Sequence, residues 1–179
     1  MPEVFRNSIS RAVGNVTLDS STVVGAGVTV ITGVSTAGMA VSSIVVNTKC
    51  IAGTKVYEIG TDQITVDRTS TNTASASNQI LRVLGVTTAY TAPAATKSVL
   101  IGGTFANNTN NSVDLTVEIY DASAGIGVAL ASKIPIPAGS SFVISDAGKT
   151  VLETGDEVRV YCDTDNAVDV TLGILEGVS

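Results

Sequence analysis

The chain has 179 residues, of which 44% are hydrophobic and 4% aromatic, with a formal charge of −6 and no histidine. That length and apolar fraction exclude a disordered chain and allow one or two cores, built here from Val, Ile, Leu and Ala. The acidic balance lacks the basic footprint that neutralises phosphates, so no nucleic-acid partner is expected.

β-branched residues abound, Lys, Glu and Gln are scarce, and no long segment repeats at 3.6 residues, so the chain is expected to be nearly all β. The opening Met1-Pro2-Glu3-Val4-Phe5-Arg6 holds no apolar signal region, and no run approaches the 18 apolar residues of a membrane-spanning helix. No membrane partner is expected, and folding in a cytoplasm is. In residues 1–14, Val4, Phe5, Ile9 and Val13 are expected to anchor one strand, ended by Gly14-Asn15.

Residues 15–84 show short apolar runs about ten residues apart, punctuated by glycine. Val16-Thr17-Leu18, Val28–Thr32, Ile44–Val46, Lys55–Ile59, Gln63–Asp67 and Gln79–Leu84 read as strands, with Thr69–Asn78 as a Ser/Thr/Asn/Ala loop. Such spacing describes a small barrel or sandwich.

From Gly85 the alternation is cleanest. Val113, Leu115, Val117 and Ile119 fall on one side of a strand, with Asp114, Thr116, Glu118 and Tyr120 on the other. The Asn-rich stretch Asn107–Ser112 reads as a turn, so Val99–Ala106 is expected to pair with Ser112–Tyr120 in an antiparallel hairpin. Pro135 and Pro137 confine their segment to a sheet edge or a turn entry. Gly155-Asp156 reads as a hairpin turn between Val151-Leu152 and Val158–Cys162, and Val168–Leu175 closes the chain as a strand. About seven strands over this stretch is sandwich spacing.

Gly33-Val34-Ser35-Thr36-Ala37-Gly38-Met39-Ala40-Val41, Ile51-Ala52-Gly53-Thr54-Lys55-Val56 and Gln63-Ile64-Thr65-Val66 resemble a recurrent β-module of bacteriophage tail and fibre proteins. One departure is Cys50-Ile51-Ala52, where that pattern more often carries Gly-Ile-Pro. A second resemblance follows. Tyr90–Thr96, Ala106–Thr109, Ile134–Ser141, Val151–Val158 and Ala167–Glu176 are similar, in order, to motifs of a family of small β-sandwich virion proteins of tailed phages. In that family an opening like Val4-Phe5-Arg6-Asn7 stands close to the Tyr-Thr-x-Pro motif, whereas here about 70 residues intervene. The resemblance therefore implies an antiparallel β-sandwich, Ig-like or jelly-roll-like, made of 1–14 and 85–179. Residues 15–84 would be an inserted β-module.

Candidate chemistry is thin. Without histidine there is no Ser-His-Asp or Cys-His arrangement and no His-ligated metal, and two lone cysteines form no Cys-x-x-Cys. Cys50 and Cys162 are expected as buried free thiols. Asp156, Asp163, Asp165 and Asp169 read as solvated carboxylates at turns and strand faces rather than a glycosidase pair. Asp163-x-Asp165-Asn166 has closely spaced oxygens that suit Ca²⁺, but an Asx turn is the simpler reading. Tyr57, Tyr90, Tyr120 and Tyr161 could line a sugar site, or serve core and interface packing.

No catalytic, cofactor or metal residues are assigned. The expected function is that of a non-enzymatic structural protein in a tailed-phage virion, leading with a capsid decoration protein. A neck, collar or tail-attached protein and a carbohydrate-binding fibre module are the alternatives. The expected partners are sister subunits in a homo-oligomer and the major capsid or neck and tail proteins, with a host-surface glycan as a further ligand.

Overall fold

Period-two runs of Val, Ile and Leu fill most of this chain, and they become strands in the computed structural model, which describes residues 2–145 and 149–178. The described residues contain no helix, and every strand pairing is antiparallel. The first strands are β1 (Val4–Val13), β2 (Val16–Val24), β3 (Val30–Thr32), β4 (Ile44–Val46), β5 (Val56–Gly60), β6 (Gln63–Val66) and β7 (Ala76–Leu84). After them come β8 (Thr87–Thr91), β9 (Lys97–Asn107), β10 (Val113–Asp121), β11 (Ile126–Ile136), β12 (Ser141–Ile144), β13 (Thr150–Leu152), β14 (Glu157–Cys162) and β15 (Val168–Val178). The chain divides into two compact units, 1–14 with 87–179, and 15–86.

The first unit is a β-sandwich. One sheet runs β1-β15-β9-β12, with β13 also paired to β9, and the other runs β11-β10-β14-β8. Alternate residues of both sheets supply one core, including Leu115, Val117, Val160, Val170, Leu172 and Ile174, all fully buried. The Phe105 and Phe142 rings lie 6.1 Å apart within it. Aromatic pairs at that separation add to burial.

The second unit is a six-stranded sheet, β4-β7-β2-β3-β6-β5, whose two ends meet. Ile44 bridges Lys55, Val45 N–H donates to Thr54 O (2.7 Å) and Val56 N–H to Ser43 O (2.9 Å). These bonds join β4 to the start of β5 and close the sheet into a small barrel around Val24, Ile31, Val56, Ile64 and Leu81. The Ser/Thr/Asn loop after β6 is pinned rather than loose, since Ser70 Oγ donates to Gly25 O and Asn72 Nδ2 to Val24 O. Both ends of the unit lie on one ladder, where Val16 pairs with Leu84 and Gly85 N–H donates to Asn15 O at 2.6 Å.

Two local expectations are corrected. β9 and β10 are not a hairpin, because they belong to different sheets. Asn107 is the cause. Its backbone N–H bonds Ser140 O, and its side-chain Nδ2 donates to Asn111 O, Ile136 O and Pro137 O, which carries the chain across the core instead of back along β9.

The Gly155-Asp156 turn likewise joins β13 and β14 across the two sheets. Asp156 holds it with a carboxylate that accepts the N–H groups of Glu153 (2.8 Å) and Ala122 (3.0 Å). β1 is the strand expected at the start of the chain, and it pairs with β15. Val13 is buried, but Phe5 and Ile9 are 76% and 73% exposed and anchor nothing inside the sandwich. An extra residue between Ser10 and Val13, with Ala12 at φ 55°, reverses the facing of the strand there. A one-residue bulge moves every later side chain to the opposite face.

Candidate interaction surface

Three of the four carboxylates singled out in the sequence, Asp156, Asp163 and Asp169, accept backbone N–H groups. Asp156 is buried and caps its turn as described above. Asp163 Oδ1 accepts Asp114 N–H at 2.9 Å and the Thr164 hydroxyl at 3.1 Å, which is turn chemistry. Asn166 beside it sits at φ 50°, and no metal-holding cluster of acidic and sulfur side chains occurs among the described residues. Asp169 Oδ1 accepts Ala12 N–H at 2.8 Å, and that bond, helped by Asn108 and Arg11, draws its carboxyl below the ordinary range.

The four tyrosines do not form one site. Tyr57 lies in the 15–86 unit and is exposed, whereas the other three lie in the sandwich. Tyr90 bonds Ser98 and donates to Glu176, whose carboxylate also pairs with Arg6. Tyr120 lies under the Arg159 guanidinium, 3.5 Å from ring centroid to Cζ. Tyr161 is fully buried and donates to Glu118 Oε1 at 3.3 Å. Burial first, and then the Glu118 charge, push the Tyr161 hydroxyl well above its usual range, so it stays protonated. On β11 the neighbour is Gly127, where any side chain would collide with the Glu118 carboxylate.

Cys50 and Cys162 are free and belong to different units. Cys162 is buried as expected, Cys50 only half-buried, and burial raises both thiols. A raised thiol is a poor nucleophile.

Among the described residues, open clefts occur in the sandwich. One of about 490 Å³ is lined by Lys97, Ser123, Glu153 and Asp156, the last already saturated by backbone donors. Another, of about 610 Å³, lies among turn residues around Asn107 and Ser140.

The sandwich's largest unexplained feature is a sheet face. On β15, Val170, Leu172 and Ile174 point into the core, so Thr171, Gly173 and Leu175 point out. Their ladder partners share that outer face. Phe5, Leu175, Val99 and Val151 form one row across four strands. Ile9, Thr171, Thr104 and Val143 form a second. Between them lies a low row, Asn7, Gly173 and Gly102.

None of these residues is charged. Phe5, Ile9, Val143 and Val151 are between 54% and 76% exposed. The exposed apolar side chains stand on the outer strands of the face, with Thr171, Thr104, Asn7 and two glycines between them, and such a face is a candidate interaction surface. The sequence reading gave Val4, Phe5, Ile9 and Val13 to one strand without assigning a face to Phe5 and Ile9. Their shared parity with Asn7, opposite to Val4, Arg6 and Ser8, is the signal that separates the two faces.

The fold thus defines a class, an all-β chain of antiparallel sheets. No family model, curated protein or solved structure matches it.

Proposed function

We propose that this chain is a non-enzymatic structural protein of a tailed-phage virion, a capsid decoration protein that docks on the particle and carries residues 15–86 as an inserted module. The observation that carries the reading is the pairing of an uncharged, exposed sheet face with acidic side chains spent on turns. Asp156, Asp163 and Asp169 each hold backbone N–H groups, which favours a rigid building block over a catalyst. The ordered motifs from Tyr90 to Glu176 supply the phage assignment. The test is co-sedimentation of the purified chain with empty heads and, separately, with isolated tails. Decoration predicts pelleting with heads, at a copy number near that of the capsid lattice. Pelleting with tails alone would move the protein to the neck or tail, and pelleting with neither would end the virion reading.

A further inference from the structure

We infer that the folded barrel is a clasp for β1: the strand stays docked on the sandwich because residues 15–86, once folded, hold its tether short. Two observations carry this, the thin burial of β1 and the paired ends of the barrel.

Of the ten residues of β1 only Val13 is buried, whereas its partner β15 buries Val168, Val170, Leu172 and Ile174. The rest of the hold on β1 is its ladder to β15 and a few polar bonds. Ser8 Oγ donates to Ala89 O at 2.6 Å, Arg6 pairs with Glu176, and Ala12 N–H donates to Asp169 Oδ1. An edge strand with so little apolar burial is marginal by itself. Its docking therefore depends on its local concentration beside β15, which the length of its tether sets.

The tether is the path from β1 to β8. Across an unfolded 15–86 segment that path is 72 residues long. In the barrel, Val16 pairs with Leu84 and Gly85 N–H donates to Asn15 O. The path shrinks to four residues, Gly14-Asn15 and Gly85-Val86, joined by that bond. Its first end is also fixed, since Ala167 N–H donates to Val13 O (2.9 Å) and Asn166 N–H to Gly14 O (3.1 Å). The chance that two chain ends meet falls with about the three-halves power of loop length. Shortening 72 residues to four thus favours docked β1 about 70-fold.

Release of the clasp has a specific result. β15 loses its ladder partners between Val168 and Glu176 and becomes an open edge above the sandwich core. An open edge is a template for another chain. The barrel guards that edge, and whatever unfolds the barrel frees it.

The test is amide hydrogen exchange on the full chain and two variants. A Gly-Ser segment of about sixteen residues, inserted between Val86 and Thr87, lengthens the path to about twenty residues and leaves the barrel ladders intact. Exchange of the β1 amides that bond β15 should rise about tenfold, with β2 to β7, β10 and β14 unchanged. Ile64→Asp puts a charge at a fully buried barrel position and unfolds that unit. There the same β1 amides should exchange about 70-fold faster than in the wild type, together with the β15 amides that face them.

Should Ile64→Asp aggregate, the inserted segment decides alone. Unchanged β1 exchange with the longer tether would overturn the clasp, as would β1 amides already unprotected in the wild type. An equal rise in β10 and β14 would mean a general loosening of the sandwich and would overturn it too.

Discussion

In residues 15–86, the outermost strands of the sheet hydrogen-bond to one another through Val45, Thr54, Val56 and Ser43, so the ladder has no free margin. The sandwich of the other unit keeps its margins. β1 and the β12/β13 pair border one sheet, and β11 and β8 border the other. Open edges attract other chains. Here they are blunted by other means: Pro135 within β11, the bulge before Val13 in β1, and the shortness of β12 and β13 at four and three residues. Closure spares a barrel those devices but ties its stability to a few bonds at the seam. An open sandwich spreads its stability over a larger core and leaves a whole sheet face available.

The largest expected effect probes the core side of that comparison. Phe105→Ala empties a fully buried site against Phe142 and should cost about 3–5 kcal/mol in urea denaturation. A loss under about 1 kcal/mol would mean that the sandwich does not depend on this core. At the barrel seam, Val56→Pro removes the N–H that bonds Ser43 O and should cost about 3 kcal/mol. Amide exchange in β4 and β5 should rise most. Exchange unchanged in β4 would show that the seam contributes little.

The smallest effect is a pH dependence that both units share. Asp19 in the barrel, bonded by the Ser35 and Ser21 N–H groups, and Asp121 and Asp169 in the sandwich all have carboxyls drawn below the ordinary value of 3.8. Their folded values lie below their unfolded ones. The stability they contribute is therefore complete above about pH 4 and lost as pH falls through the folded values. Melting temperature should be flat from these groups above that point and decline below it. Asp19→Asn should flatten the acid limb slightly, and an unaltered limb would show that these backbone bonds carry no linkage.

The barrel strands were legible because each is a short apolar run between turn residues, and Gln63–Val66 and Ile44–Val46 emerge almost as the alternation implies. So were the buried faces of β10 and β15, where Val117 and Val170 are both fully buried. Partner choice was not legible. Alternation fixes which side of a strand is apolar, but a turn can fold back within a sheet or arch to the facing one, and the apolar side is the same in both cases. At Asn107 the choice is made by a side-chain amide whose acceptors at Ile136 and Pro137 lie some 30 residues away. The outward face of β1 was hidden for a similar reason. The bulge before Val13 lets one strand present Phe5 outward and Val13 inward, and no residue of that stretch announces the reversal.

The junction between Asn15 and Gly85 has a consequence for how this gene can change. Because the 15–86 unit leaves and rejoins the chain on one rung, with Val16 opposite Leu84, its two attachment points stand about 5 Å apart. The chain on either side, β1 ending at Val13 and β8 starting at Thr87, needs only that spacing from whatever lies between. Gly14 itself is fixed, since any side chain there would collide with Thr164 O. Ends that stand side by side are what an exchange of this segment would require, and deletion of 15–86 with a short linker in its place tests the point by whether a cooperatively melting sandwich remains.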